Sequence, residues 1–281
     1  MISDDEWFAA VEQSLTNPHI QIGNIALPSF PEKDIVDLTI TNGTSMSMLR
    51  SAFSLYAAVK NYAEKHGRPL SEDSKVLDFG CGWGRIARFF LREIPLKNLH
   101  GVDVIPTLVR VCKATFCSPN FKVIRQNGRL PHKTASFDIV FANSVFSHLN
   151  EKLNLKWVRE IRRVLKPGGL AMLTIITEDK FEIMSVGAKD WIESLEFDKE
   201  TLKAELSAGK LSWISTGRKQ RKLAGYGIAV IPYSWIEANW GDSFSVLEMD
   251  EEQSQAIVVL QKSDSEEKAS GLLSKLFSRG S

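Results

Sequence analysis

The sequence predicts an α/β fold: a seven-stranded, mostly parallel sheet with helices on both faces and an antiparallel hairpin near its C-terminal end. Three observations carry this expectation. Short apolar runs alternate with helical patterns between residues 75 and 176, the spacing of βαβ units and so of a parallel sheet. Two further strand-like runs, 244–249 and 255–261, lie close enough together to form a hairpin. A chain of 281 residues, 43% of them hydrophobic, suffices for one large α/β domain or two small ones with a core of their own.

Taken in order, the first helix is expected from Asp4 to Leu15, followed by a loop containing Pro18, Pro28 and Pro31. A second helix is expected from about Ser45 to Glu64. Leu49, Ala52, Phe53, Tyr56, Val59 and Ala63 share one face of it at the 3.6-residue period, and His66-Gly67-Arg68-Pro69 ends it. Lys75–Phe79 reads as a buried strand. Ile86, Phe89, Phe90 and Ile94 then form a helix face. Leu99–Val104 is a strand, and Pro106 stands where a first helical turn accepts proline. Phe121–Arg125 and Phe137–Ala142 are short strands. Trp157, Val158, Ile161, Val164 and Leu165 mark an amphipathic helix closed by Lys166-Pro167-Gly168-Gly169, and Leu170–Ile176 is the next strand. Residues 177–242 break the alternation with polar and aromatic sequence that includes Trp191, Trp213, Trp235 and Trp240. Residues 263–281 form a Ser/Lys/Glu-rich tail. In it Ala269, Leu272, Leu273, Leu276 and Phe277 would share one face of a short helix, a candidate for contact with a partner or a membrane surface.

Composition narrows the function classes. Lys and Arg number 35 against 34 Asp and Glu, so no global field draws the chain onto nucleic acid. Three cysteines, Cys81, Cys112 and Cys117, argue against a disulfide framework and for a reducing compartment. The opening MISDDEWF is acidic, unlike a signal peptide, and no apolar run approaches the roughly 20 residues of a membrane helix. The expectation is a soluble cytoplasmic chain.

The chemistry centres on Val76-Leu77-Asp78-Phe79-Gly80-Cys81-Gly82-Trp83-Gly84-Arg85, where a strand turns into a helix. Alternate glycines let the backbone approach a ligand where a Cβ would collide, and a helix start offers free N–H groups. A dinucleotide fingerprint requires G-x-G-x-x-G around a pyrophosphate. Here the spacing is G-x-G-x-G, with Asp78 two residues before the first glycine. That carboxylate would repel a pyrophosphate and suits a ligand bearing an ammonium and a sulfonium. Asp103, at the end of the second strand, can accept both hydroxyls of a ribose. Gln126-Asn127-Gly128 follows the third strand, where a polar side chain can meet an adenine edge. Phe141 to Leu149 lies at the carboxyl end of the fourth strand and includes Asn143 and His148.

These motifs, together with Arg162-Arg163-Val164-Leu165-Lys166-Pro167-Gly168-Gly169-Leu170, resemble in order and spacing the class I S-adenosylmethionine-dependent methyltransferases of the small-molecule type 11/12 kind. The resemblance is strong over about residues 70–176 and weaker over the hairpin. It implies a Rossmann-like fold and S-adenosyl-L-methionine as cofactor. Asp78, Gly80, Cys81, Gly82 and Trp83 would hold the methionine end, Asp103 the ribose, Asn127 and Gly128 the adenine, and Asn143 the methionine moiety. Asn127 replaces the family's usual aspartate. Trp83 stacks on the cofactor or packs under it. The Asn42-Gly43 turn and the helix after it resemble segments that cover the cofactor. The implied layout is a helical cap segment at 1–74, a methyltransferase domain at 75–262 with a substrate-side insertion at 177–242, and the tail.

Methyl transfer asks mainly for alignment of nucleophile, methyl and sulfur. His148, the one histidine near the crevice, is the candidate general base, with a structural role as its competitor. The Arg218–Lys222 run is an anion site or a solvated face. The aromatic insertion favours a small organic or sugar-containing acceptor, and no metal site is expected. Three competing readings are weaker. A nicotinamide oxidoreductase conflicts with the glycine spacing. A nucleic-acid methyltransferase conflicts with Ala-Asn-Ser-Val-Phe at 142–146 and with the near-zero charge. A non-catalytic cofactor-binding or interaction protein of the same fold is separable by a turnover assay.

Overall fold

The computed structural model describes residues 2–37, 45–195, 197–216 and 227–263. Asn42-Gly43, the Arg218–Lys222 run and the 269–279 helix therefore lie outside the described residues. Seven strands form one sheet in the order β10-β11-β7-β6-β3-β4-β5, defined below, in which β6, β3, β4 and β5 pair in parallel and β11 runs antiparallel to both β7 and β10. This is the expected architecture. The chain packs as two units.

The first unit takes in the chain up to Pro131 together with Ile139–Asn143. Helix α1 (Asp4–Gln13) starts on a capping box. The Ser3 hydroxyl accepts the Glu6 N–H, and the Glu6 carboxylate accepts the Ser3 N–H at 2.7 Å. A two-strand ribbon, β1 (Gln21–Ile22) and β2 (Ile25–Ala26), and the short α2 (Lys33–Asp37) lead to α3 (Ser45–Lys65). The predicted face of α3 is buried at Leu49, Ala52, Tyr56, Val59 and Ala63. Trp7 donates its indole N–H to the Phe89 carbonyl at 3.0 Å, and Phe8, Phe53, Tyr56 and Phe89 pack ring on ring. Those contacts anchor both N-terminal helices. Strand β3 (Val76–Phe79) pairs in parallel with β4 (Leu99–Asp103), Val76 opposite Leu99. Helix α4 (Pro106–Thr115) carries Pro106 in its first turn. Strand β5 (Phe121–Val123) closes that edge, and β6 (Phe137–Ala142) flanks β3 on the other side. All four residues of β3 are buried, as a strand covered on both faces requires.

The second unit holds His132–Asp138 and the chain from Ser144 onward. Helix α5 (Glu151–Val164) is capped by Asn150, whose side chain accepts the Leu153 N–H at 3.1 Å. Strand β7 runs Leu165–Ile175, so the Lys-Pro-Gly-Gly stretch read as a terminator of α5 lies inside a strand. Gly168, at φ 64°, turns the backbone there; its N–H donates to the Lys262 carbonyl, and the Lys262 N–H donates to the Gly169 carbonyl, both at 2.9 Å. The insertion contributes α6 (Glu178–Gly187), α7 (Lys189–Glu193), α8 (Lys199–Ser207), the antiparallel pair β8 (Ser212–Ser215) and β9 (Gly227–Val230), and α9 (Tyr233–Trp240). Strands β10 (Ser245–Asp250) and β11 (Ala256–Gln261) are the predicted hairpin, with β11 buried over Ala256–Leu260.

Candidate functional site

After β3 the chain enters Gly80-Cys81-Gly82-Trp83-Gly84, and the three glycines stand at φ 85°, 54° and 83°. Side chains resist that left-handed region, which explains glycine at every second position. A Cβ on Gly84 would also fall 2.5 Å from the Phe116 ring and 3.3 Å from Cys112 Sγ. Main-chain bonds fix the turn. Gly80 and Cys81 N–H both donate to the Val102 carbonyl, at 2.8 and 3.0 Å, and the Cys112 thiol donates to the Gly82 carbonyl at 3.3 Å. The segment that follows is a 3₁₀ helix, Ala87–Arg92, where the sequence suggested one amphipathic helix face. Ala87 to Leu91 are all buried, so no solvent-facing stripe constrains the winding to the 3.6 period.

Two carboxylates flank this turn. Asp78, in β3, is 1% exposed, and its Oδ2 has no hydrogen-bond partner. Burial first, then the nearby Asp103 carboxylate, raise its pKa well above the ordinary range, while Arg85 opposes them. Asp103 ends β4 and is also buried. Its Oδ2 accepts the Gly82 N–H at 2.9 Å and its Oδ1 accepts the Ile105 N–H at 2.8 Å. One carboxylate thus ties the turn after β3 to the turn after β4, and each of its oxygens has capacity for a further donor. A buried carboxylate oxygen lacking a partner, beside a turn whose glycines carry no Cβ, suits a cationic ligand approaching closely. The same donor set suits an ammonium next to a hydroxylated ring.

The other sequence-predicted residues fall as follows. Asn127 is exposed in the turn after β5, where a Cβ on Gly128 would lie 2.9 Å from the Arg125 carbonyl. Asn143, half-buried, directly follows β6. Asp78, Gly80, Cys81, Gly82, Trp83, Asp103, Asn127, Gly128 and Asn143 all belong to the first unit. Cys81 is buried, and contact with Cys112, then burial, push its thiol pKa well up, so it stays protonated. Trp83 is buried against Phe30, ring centres 5.5 Å apart. His148 belongs to the second unit, in the short 3₁₀ helix Phe146–His148. Its Nδ1 lies 2.7 Å from the Gly227 carbonyl. A carbonyl only accepts, so Nδ1 carries the proton and Nε2 is the basic nitrogen. In the same unit the Ser144 N–H donates to Thr174 Oγ1, Thr174 to Gln255 Oε1, and the Gln255 amide to Ser144 Oγ, at 2.8, 2.8 and 2.9 Å. This triangle holds Ser144 at φ 52°, in the turn after β6.

Sequence reasoning missed two arginines and a cysteine. Arg85 Nη1 donates to the Met48 carbonyl at 2.8 Å, which brings α3 to the glycine turn. Arg88 is fully buried, its guanidinium 3.8 Å from the Phe30 ring centre and 5.0 Å from that of Trp83. Burial lowers its pKa to about 9. The available signal was the Gly-Arg-Ile-Ala-Arg spacing, which sets two arginines on one side of the segment after the turn. Cys112, read only as one of three unpaired cysteines, gives a thiol hydrogen bond to the turn. Among the described residues no group of His, Cys, Asp and Glu could hold a metal ion, and no helix is long and apolar enough to cross a membrane.

Comparison with known proteins bears on this geometry. Residues 76–169 match a family model described as a methyltransferase domain. A malonyl-[acyl-carrier protein] O-methyltransferase of Halalkalibacterium halodurans is 28% identical over 123 residues, 42% of this chain and 45% of that protein. The chain thus spans about half the length of curated relatives that it matches. In fold it is similar to a Pyrococcus horikoshii protein, at TM-score 0.55 and 17% identity over 81% of this chain and 95% of that one. It is likewise similar to an S-adenosylmethionine-dependent methyltransferase of Clostridium acetobutylicum, at TM-score 0.53 and 12% identity over 82% and 97%. Sheet order, glycine turn and family match agree that residues 76–169 form a methyltransferase domain, in the fold of S-adenosylmethionine-dependent methyltransferases.

Proposed function

We propose that the chain transfers a methyl group from S-adenosylmethionine to a small organic or sugar-containing acceptor by direct in-line displacement. The observation that carries the proposal is the buried, partnerless Oδ2 of Asp78 beside the Gly80–Gly84 turn. The cofactor's sulfonium supplies an activated methyl group. The chain's own residues bind and orient. Asp78 accepts the ammonium of the methionine end, and the glycine turn passes close to it. Asp103 offers its remaining lone pairs to the ribose hydroxyls, Asn127 and Gly128 meet the adenine, and Asn143 lines the methionine moiety. Alignment of this kind supplies roughly 7–11 kcal/mol toward the barrier. Where the acceptor must lose a proton, His148 Nε2 takes it, oriented by the Nδ1 bond to Gly227. General-base help of that sort is worth about 10²–10⁴ in rate. The test is calorimetry with S-adenosylhomocysteine and with nicotinamide dinucleotides, followed by labelled-methyl transfer into fractionated host extract. Binding of the dinucleotides in place of S-adenosylhomocysteine would sink the reading, and binding without any transfer would make the chain a non-catalytic relative.

A further inference from the structure

The second unit contains a pocket of about 550 Å³ formed by α6, α7 and α8. It begins where the chain leaves the sheet: β7 ends at Ile175, and Thr177 caps α6, whose first residue Glu178 lines the pocket. In open α/β sheets the carboxyl ends of the strands face the ligand crevice. The volume lies within the range of small-molecule sites.

Its lining is apolar below and charged at the mouth. Phe181, Ile192, Leu202 and Leu206 belong to one buried cluster, and Phe197 packs edge-on against Phe181, ring centres 6.0 Å apart. Val186, also lining the pocket, is 83% exposed, an unusual place for a branched apolar side chain on a helix. Around the mouth, Lys189 and Glu193 approach each other at 3.8 Å within α7. Glu178 and Glu182 on α6 and Lys199 and Lys203 on α8 make no ion pair with one another or with other described residues. The pocket therefore offers a desolvated slot for carbon and, at its entrance, both ammonium and carboxylate groups.

We infer that this pocket binds an amphiphile, with an alkyl or aryl body against Phe181, Phe197 and Leu202 and a polar end at the Lys and Glu rim. A purely hydroxylated sugar would leave the aromatic floor without an apolar partner.

The experiment uses the full chain. Binding of 8-anilinonaphthalene-1-sulfonate is followed by fluorescence, with laurate and glucose as competitors, for the wild type, Val186→Asp and Phe197→Asp. Saturable binding at one site per chain, competition by laurate and not by glucose, and at least a tenfold weakening in Val186→Asp are expected. Val186 is exposed, so that variant keeps its fold, and its S-adenosylhomocysteine affinity stays at the wild-type value. Absence of saturable binding, or binding indifferent to both substitutions, would overturn the inference. Failure of the wild type to bind S-adenosylhomocysteine, with laurate binding intact, would instead refute the methyltransferase reading and leave this pocket standing.

Discussion

Asp78→Asn should make the protein without cofactor more stable and the protein with cofactor far worse at binding. The side chain is 1% exposed, and its Oδ2 finds no donor. A buried polar group left unsatisfied costs about 1–3 kcal/mol, and more when charged. Asparagine keeps the shape and removes the charge, at the cost of losing the attraction of Arg85. The raised pKa shows that burial and Asp103 outweigh Arg85. The sign with pH follows from the direction of that shift. A carboxyl whose folded pKa lies above its unfolded value of 3.8 destabilises the fold above the unfolded pKa, increasingly until the folded pKa is passed. The gain in the variant should therefore be absent near pH 4 and largest at pH 8, there about 2 kcal/mol or roughly 4–8 °C in Tm for a chain of this size. Loss of the charge-assisted bond to the cofactor ammonium should weaken S-adenosylhomocysteine binding by about 1.5–3 kcal/mol, roughly 10- to 150-fold. Thermal unfolding of both proteins at pH 4, 6 and 8, with calorimetry at pH 8, measures both effects. A variant no more stable than wild type at pH 8 and retaining full affinity would refute the assignment of Asp78 as a carboxylate held ready for a cation.

Four further outcomes are expected. Asp103→Ala should weaken S-adenosylhomocysteine binding more than tenfold. It should also lower Tm, because the Gly82 and Ile105 N–H groups lose their acceptor at about 1–3 kcal/mol each; an unchanged melting curve would contradict that second role. Gly84→Ala forces a Cβ to 2.5 Å from Phe116 at φ 83°, and urea unfolding should register a loss of about 2–4 kcal/mol, with less than about 0.5 kcal/mol refuting the argument. His100 is held near a pKa of about 4, first by burial and then by Lys122 and Lys75. The unfolded chain thus binds a proton that the folded chain refuses between about pH 6.5 and pH 4. Stability should fall on acidification through that window, and His100→Gln should flatten the fall in acid titrations. Deleting residues 263–281 should leave S-adenosylhomocysteine affinity unchanged by calorimetry; a loss would make the tail part of the binding unit.

Much of the fold was legible because each element carries its own period. The Leu49–Ala63 face of α3, the Pro106 start of α4 and the 256–260 run of β11 needed only local sequence. The places where the reading slipped are those where burial was complete or pairing was distant. Ala87–Leu91 are buried on every side, so the segment shows no stripe by which to choose α over 3₁₀ winding. Lys-Pro-Gly-Gly looked like a terminator, yet β7 starts at Leu165, and main-chain bonds of Gly168 and Gly169 with Lys262, more than 90 positions along, continue its pairing back past Leu170. By itself the sequence determined the strand–turn–acid pattern, since glycine is the residue that most readily takes the positive φ at positions 80, 82 and 84, and the chain order places Asp78 and Asp103 at neighbouring strand ends. Tertiary structure alone decided the charge states and partners: which Asp78 oxygen is left without a donor, that Asp103 is also a main-chain clamp, and that Gly227 sets the tautomer of His148. The physical reason is that desolvation and hydrogen-bond pairing depend on what long-range packing brings within about 3 Å, and no local period in the chain encodes that.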